Sequence, residues 1–259
     1  MHLQDFAPAN AKAFARFIYA RVPGAAQIRF AIKDLAAEHI FKAEFAGVKR
    51  LGLGNGYIVD VGANRGQSIA AFRRLAPACK VIAFEPDPRS CVPLRARLVG
   101  TGGVVLLDCA LGSEAGRLPF YLPRYGLWNC DGMSATTRED AIDWLRDHGR
   151  MFRFDAHRLS VEERWIERRT LDSFALTPAL VKLHAQGAEL DILRGAADTL
   201  RRASPDIMCA FPTPDVIDFL EALNYRPYRF LNGTFVPGQA GSRATFTWFL
   251  TDERASLLA

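Results

Sequence analysis

The stretch Tyr57-Ile58-Val59-Asp60-Val61-Gly62-Ala63-Asn64-Arg65-Gly66-Gln67-Ser68 decides the fold. Its first five residues form a short apolar run that reads as a buried strand, and Gln67 to Leu75 carries apolar residues at helical spacing. Between them, glycines at 62 and 66 let the backbone turn sharply and approach a ligand with no Cβ in the way. The helix beginning near Gln67 offers unpaired N–H groups at its N-terminus. The spacing is not G-x-G-x-x-G, because Asn64 and Gln67 stand at the second and third glycine places. A pyrophosphate cradle is therefore disfavoured, and NAD is the weaker alternative.

Lys80 to Phe84 reads as a second strand, Pro88 to Val99 as its helix and Gly103 to Leu107 as a third strand. Leu180 to Leu183 and Asp206 to Ala210 are further strands, with helices over Ala188 to Arg202 and Asp215 to Leu223. Arg226 to Val236 and Ala244 to Thr251 alternate like an antiparallel hairpin. Repeated strand–helix units imply an α/β fold with a mostly parallel sheet, helices on both faces and a crevice at the strand C-termini. Upstream, residues 8 to 21 and 25 to 46 read as two helices, so residues 1–52 are expected to be an N-terminal helical extension packed on a core domain, 53–259. Residues 116–170, with Pro119, Pro123, Gly126 and Gly132, break the rhythm and read as an insertion over the strand ends. It holds a helix at Arg138 to Arg150 and a strand at Val161 to Arg169.

Three strand ends carry acids: Asp60, Glu85 in Phe84-Glu85-Pro86, and Asp108 before Cys109. A carboxylate at the end of the second strand suits both hydroxyls of a ribose, and one at the third suits an adenine amine. Asp60, Gly62, Asn64, Gly66, Gln67, Ser68, Glu85, Pro86, Asp108 and Cys109 are the expected cofactor contacts for a nucleoside-type ligand.

The 259 residues carry a net charge of +5, with 49% hydrophobic and 24% charged residues. That is the profile of an ordinary folded chain with a basic surface, which favours anionic partners. Five cysteines without a C-x-x-C pair argue against a disulfide framework or zinc site and fit a cytoplasmic compartment. The N-terminus lacks a signal-peptide pattern, and no apolar run reaches the roughly 18 residues needed to span a bilayer.

Five blocks in order resemble the FkbM family of S-adenosylmethionine (SAM)-dependent methyltransferases: Asp60 to Gly66, Phe84 to Asp87, Ala110 to Gly112, Thr170 to Phe174 and Gly187 to Gly195. The resemblance implies a Rossmann-like class I methyltransferase sheet, SAM as cofactor and O-methylation of a sugar, glycan or secondary metabolite. Where the family reads Lys-Ile-Asp-Val-Glu-Gly-Ala-Glu, this chain has Lys182-Leu183-His184-Ala185-Gln186-Gly187-Ala188-Glu189, and Ala210 stands where a glutamate is usual. The replaced acids raise a second reading, a SAM-binding scaffold without catalysis, and imply that no metal is held.

His184 is then the expected general base, oriented by Glu189 or Asp172, with Lys182 steadying a substrate oxyanion. Tyr125, Trp128, Asn129, Ser134 and Arg138 mix aromatic faces with hydrogen-bonding groups and are the expected substrate contacts, while Trp144, Trp165 and Phe174 read as core. A small-molecule or glycan acceptor is the expected partner. Nucleic acid is disfavoured because no Asp/Asn-Pro-Pro-aromatic block stands at the fourth strand. A homo-oligomer stays open.

Overall fold

A computed structural model describes residues 11–37, 39–147, 149–239, 241 and 244–258. The chain divides into two compact units, residues 36–117 with 167–259, and residues 1–35 with 118–166.

The larger unit is built on an eight-stranded sheet. Its parallel half follows the predicted segments closely: β1 (Tyr57–Val61), α4 (Gln67–Leu75), β2 (Lys80–Phe84), α5 (Pro88–Leu98), β3 (Val104–Leu107), β8 (Pro178–Leu183) and β9 (Asp206–Ala210). With β10 (Tyr225–Leu231), β11 (Thr234–Pro237) and β12 (Phe246–Thr251), the sheet order is β11-β10-β12-β9-β8-β1-β2-β3. The chain leaves β1 toward β2 on one side and later returns to its other side as β8, so the order reverses at β1. In open α/β sheets, a ligand crevice lies outside the strand C-termini at such a reversal.

Strand side chains alternate between two cores. Val59, Val61, Val181, Leu183 and Ile207 pack with Ile192, Leu193 and Leu200 from α7 (Glu189–Arg194) and α8 (Ala197–Ala203), and with Val216 and Leu220 from α9 (Pro214–Glu221). On the other face Ile58, Val81, Leu180, Met208 and Trp248 pack with Val48 and Leu51 of α3 (Gly47–Leu51) and Ile69 and Phe72 of α4. With both faces covered, strands such as β9 are buried along their whole length, which explains their unbroken apolar runs.

The antiparallel edge is more elaborate than the expected hairpin. β10 (Tyr225–Leu231) turns at Asn232-Gly233 into β11 (Thr234–Pro237), and β12 (Phe246–Thr251) inserts between β9 and β10, antiparallel to both. The helix α10 (Asp252–Leu258) follows.

Two helical expectations are corrected. Ala188 to Arg202 is two helices, and the break falls at Gly195, whose carbonyl accepts from the Asp172 N–H at 3.0 Å and where a Cβ would stand 1.9 Å from the Gly112 carbonyl oxygen. The second upstream helix stops at Ala37, and extended backbone at Lys42 (ψ 144°) separates it from a 3-10 turn at Ala43–Ala46 and from α3. Residues 36–52 therefore belong with the sheet, whereas α1 (Ala11–Tyr19) and most of α2 (Ala25–Ala37) lie in the smaller unit. The predicted helix start at residues 8–10 lies outside the described residues.

In the smaller unit, Ala20, Ala26 and Phe30 pack with Tyr125, Trp128, Leu145 and Met151. The segment following the short strand β4 (Ala110–Leu111) opens with a ten-residue strand, β5 (Gly116–Tyr125), which Pro119 and Pro123 conceal in the sequence because proline offers no ladder donor. β6 (Trp128–Asn129), α6 (Arg138–Arg146) and β7 (Leu159–Arg169) complete it. No described helix is long and apolar enough to cross a membrane.

Candidate active site

The C-terminal end of β1 is tied to that of β8. Register pairs Asp60 with Lys182, and the Lys182 ammonium sits 2.9 Å from the Asp60 carboxylate with both side chains almost wholly buried. Lys182 also donates to the carbonyls of Val61 (3.1 Å) and Gly62 (2.8 Å), while the Ser68 hydroxyl donates to the other Asp60 oxygen at 2.6 Å. One ion pair thus fixes the turn backbone and the first turn of α4. This occupation corrects two expectations. Asp60 is fully enclosed among protein groups, and Lys182 is consumed by them instead of facing a substrate oxyanion.

The turn itself needs its glycines. Gly62 has φ +73°, and a Cβ there would stand 1.9 Å from the His184 carbonyl oxygen. The His184 N–H donates to Val61 at 3.1 Å, so the two strand ends meet here backbone to backbone. Gly66, at φ +81°, opens α4, and a Cβ there would meet Leu94 at 2.5 Å.

Across the turn lies Glu85, only 6% exposed. It accepts from the Asn64 N–H at 2.6 Å and the Asp87 N–H at 2.8 Å. Ser90 donates to the Asn64 side chain at 3.0 Å. Burial pushes the Glu85 carboxyl up to about 7, against the pull of those two backbone donors. Each carboxylate oxygen accepts one such bond and retains a lone pair, which suits the two hydroxyls of a ribose. Pro86 is half-buried behind it and has no N–H, and Asp87 caps α5 by accepting from Arg89. Gln67 is exposed at the first position of α4. Asp108 is exposed past β3, with Arg95 at 3.4 Å, and Cys109 is buried, its thiol pushed up to about 11 by burial. The residues present therefore fit a nucleoside cofactor at Gly62, Asn64 and Glu85, with Asp108 at the rim.

His184 stands at the end of β8, its ring edge-on to Phe211 (6.1 Å) and Phe246 (5.8 Å). Its Nε2 lies 3.4 Å from the Gln186 amide nitrogen. Burial, then the positive charges of Lys182 and Lys42, push the imidazole down to about 3. It is neutral at pH 7, but its affinity for a proton is low. Neither expected orienting acid serves it. Glu189 accepts from the N–H groups of Ala185 (2.6 Å) and Gly187 (2.9 Å), and Asp172 accepts from those of Asp198 (3.1 Å) and Thr199 (2.7 Å). Both carboxylates cap loops and helix starts, where orphan backbone donors need an acceptor.

The expected substrate contacts all belong to the smaller unit. Tyr125 is fully buried, its hydroxyl accepting from Asp155 N–H at 2.8 Å, and Trp128 is 3% exposed. Both are packing residues of that unit's core, which corrects their assignment. Ser134 is buried, while Asn129 and Arg138 are exposed. Trp165, expected in a core, is 58% exposed. Trp144 packs part-buried against the smaller unit's core and Phe174 against the sheet's.

The sequence reading missed four residues that gather around His184 and beside it. Phe211 follows β9, Phe246 opens β12, and the Lys42 ammonium donates to the Thr245 hydroxyl at 2.5 Å while lying 5.5 Å from the Phe246 ring centroid. They come from three distant parts of the chain, and no local pattern announces their meeting.

The sequence profile of the methyltransferase FkbM domain matches residues 60–227, more than half of the chain. The 2-O-methyltransferase NoeI of Sinorhizobium fredii (strain NBRC 101917 / NGR234) is 28% identical over 154 residues, covering 56% of this chain and 59% of NoeI. Methyltransferase sdnD of Sordaria araneosa is 36% identical over 103 residues, 36% of this chain and 39% of that protein. The chain thus spans well under two thirds of the length of either relative. Among solved structures, the methyltransferase FkbM of Methylobacillus flagellatus KT overlays with a TM-score of 0.48 at 14% identity, over 87% of this chain and 60% of that one.

Proposed function

The chain belongs to the FkbM methyltransferase family, and from that premise we propose that it is a SAM-dependent O-methyltransferase acting on a hydroxyl of a sugar, glycan or secondary metabolite. One observation carries the reading: the buried Glu85 carboxylate faces the Gly62–Gly66 turn at the point where the sheet order reverses. That combination offers a nucleoside a ribose acceptor and a close backbone approach. The hydroxyl as target is supported by the relative NoeI, a 2-O-methyltransferase.

Bound there, SAM supplies an electrophilic methyl on sulfonium sulfur. Transfer of that methyl to the acceptor oxygen would leave the sulfonium neutralised as a thioether and the hydroxyl proton for this chain's residues to take up. Positioning of the acceptor in line carries much of the rate in such a displacement. The neutral His184 imidazole accepts a hydrogen bond from the acceptor hydroxyl and aims its lone pair. An alcohol becomes strongly acidic only as its oxygen bonds to carbon, so even a base of low proton affinity receives the proton late in the step.

The test measures two quantities separately, the affinity for S-adenosylhomocysteine (SAH) by calorimetry and SAH release with a panel of sugar and polyol acceptors. Tight SAH binding with turnover on a hydroxyl acceptor is expected. SAH binding without transfer to any acceptor would favour the scaffold reading, which the depressed basicity of His184 and the apolar Ala210 support. Failure to bind SAH would overturn both.

A further inference from the structure

Phe211 is an aromatic residue out of place. It is 65% exposed at the end of a fully buried strand and adopts φ +45°, a left-handed conformation that bulky residues rarely take. The Phe211 N–H donates to the Thr245 carbonyl at 3.0 Å and helps hold that conformation. Such local strain concentrates at ligand-binding positions. The ring stands beside His184 and lines a pocket with Pro212, Thr245 and Thr247.

One of the pocket's lining residues, Thr245, holds a cation. Lys42 is held to the Thr245 hydroxyl, and among the described residues its ammonium makes no ion pair. Its nearest acidic influence is Glu44, whose carboxylate is engaged by the Thr245 N–H at 2.7 Å. Burial and the neighbouring Lys182 weaken the Lys42 ammonium. A bound anion relieves that cost. An exposed aromatic face, hydroxyl and imidazole groups, and an ammonium that makes no ion pair among the described residues therefore lie together near the end of β8.

We propose that Phe211, Lys42 and Thr245 form an acceptor subsite beside His184 that takes an anionic sugar, its ring stacked on Phe211 and its carboxylate or phosphate held by Lys42. This rests on the methyltransferase reading and narrows its substrate class. The ring's apolar C–H face suits the aromatic, and its hydroxyl rim suits Thr245 and His184. The ammonium recognises the charge as a point donor, so carboxylate and phosphate are both admitted.

The test titrates D-glucuronate, D-glucose 6-phosphate and D-glucose into the SAH-loaded protein, with affinity read by ligand-observed NMR. At least one anionic sugar is expected to bind about tenfold more tightly than glucose, the size of one charge-assisted hydrogen bond. The comparison between the two anions identifies which charge is native to the site. Lys42→Met should abolish the preference, Lys42→Arg should keep it, and Phe211→Ala should weaken all three sugars alike. Glucose binding as tightly as both anions, a preference surviving Lys42→Met, or no binding by any of the three would overturn the proposal. SAH affinity and SAH release with neutral hydroxyl acceptors, measured on the same protein, show whether the methyltransferase reading stands independently.

Discussion

Replacing Gly62 by alanine puts the meeting of β1 and β8 under direct strain. The new Cβ would lie 1.9 Å from the His184 carbonyl oxygen and 2.9 Å from its carbon, both backbone atoms that cannot rotate aside. At φ +73° alanine also takes on the left-handed penalty, about 1 kcal/mol or somewhat more. Overpacking against an unyielding neighbour adds about 1–3 kcal/mol. A total near 3 kcal/mol corresponds to a fall in melting temperature of about 6–12 °C for a unit of this size. Gly54→Ala is the matched control. It has φ +59° with nothing within 4 Å, so only the backbone penalty applies, about 2–4 °C. Thermal unfolding by circular dichroism gives both shifts, and calorimetry with SAH reports whether the turn still receives the cofactor. Equal shifts for the two variants, or Gly62→Ala melting within the range of the control with unchanged SAH affinity, would refute the account.

Three further outcomes follow from the site. The Glu85 carboxyl, raised to about 7, gives native stability that is complete below the usual carboxylate range and is lost as pH rises through 7. Ribose hydroxyls need the ionised form, so SAH affinity measured from pH 8.5 to 5.5 should fall below about pH 7, and Glu85→Gln should flatten the profile at weaker binding. Lys182→Met leaves Asp60 buried without its cation and should lower stability by about 3–5 kcal/mol in urea denaturation, while adding Asp60→Asn recovers part of the loss; an unchanged midpoint would contradict the anchoring role. His184→Ala should cut turnover by about a hundredfold while sparing SAH affinity. Because the imidazole is held down to about 3, wild-type turnover should show no limb near pH 6.5 belonging to this group; such a limb, vanishing in the variant, would overturn its assignment as a neutral hydrogen-bond acceptor.

The parallel half of the sheet was legible because its signals are local. β1, α4, β2 and β9 lie at the predicted bounds, each a short apolar run or helical stripe closed by a glycine, proline or acid. Glu85 and the Gly62 turn were legible for the same reason. What escaped depends on contacts between distant residues. Nothing near Gly195 in the sequence reveals that its carbonyl is taken by the distant Asp172 N–H, and so one helix was expected where two occur. Glu189 and Asp172 looked like catalytic acids but answer to nearby backbone donors. Tyr125 and Trp128 sit among prolines and glycines that suggest an open loop, yet α1 and α2 belong to the same unit and its core encloses them. The His184 surroundings join residues 42, 211 and 245–246, a meeting that only the completed sheet creates.

The position of β12 also sets an order of events during synthesis. The strand lies between β9 and β10, yet it is made after both. Until Thr251 has emerged, the β10–β11 hairpin has no place on the growing sheet, and the edge of β9 remains an open template for pairing with another chain. The acceptor side of the site, where Thr245 and Phe246 meet Lys42, is assembled in that same last event. A nascent chain stalled before β12 would therefore present the cofactor turn in full while lacking the strand that joins β9 to β10 and the proposed acceptor side. Such an intermediate is the kind of species prone to aggregate or to require a chaperone.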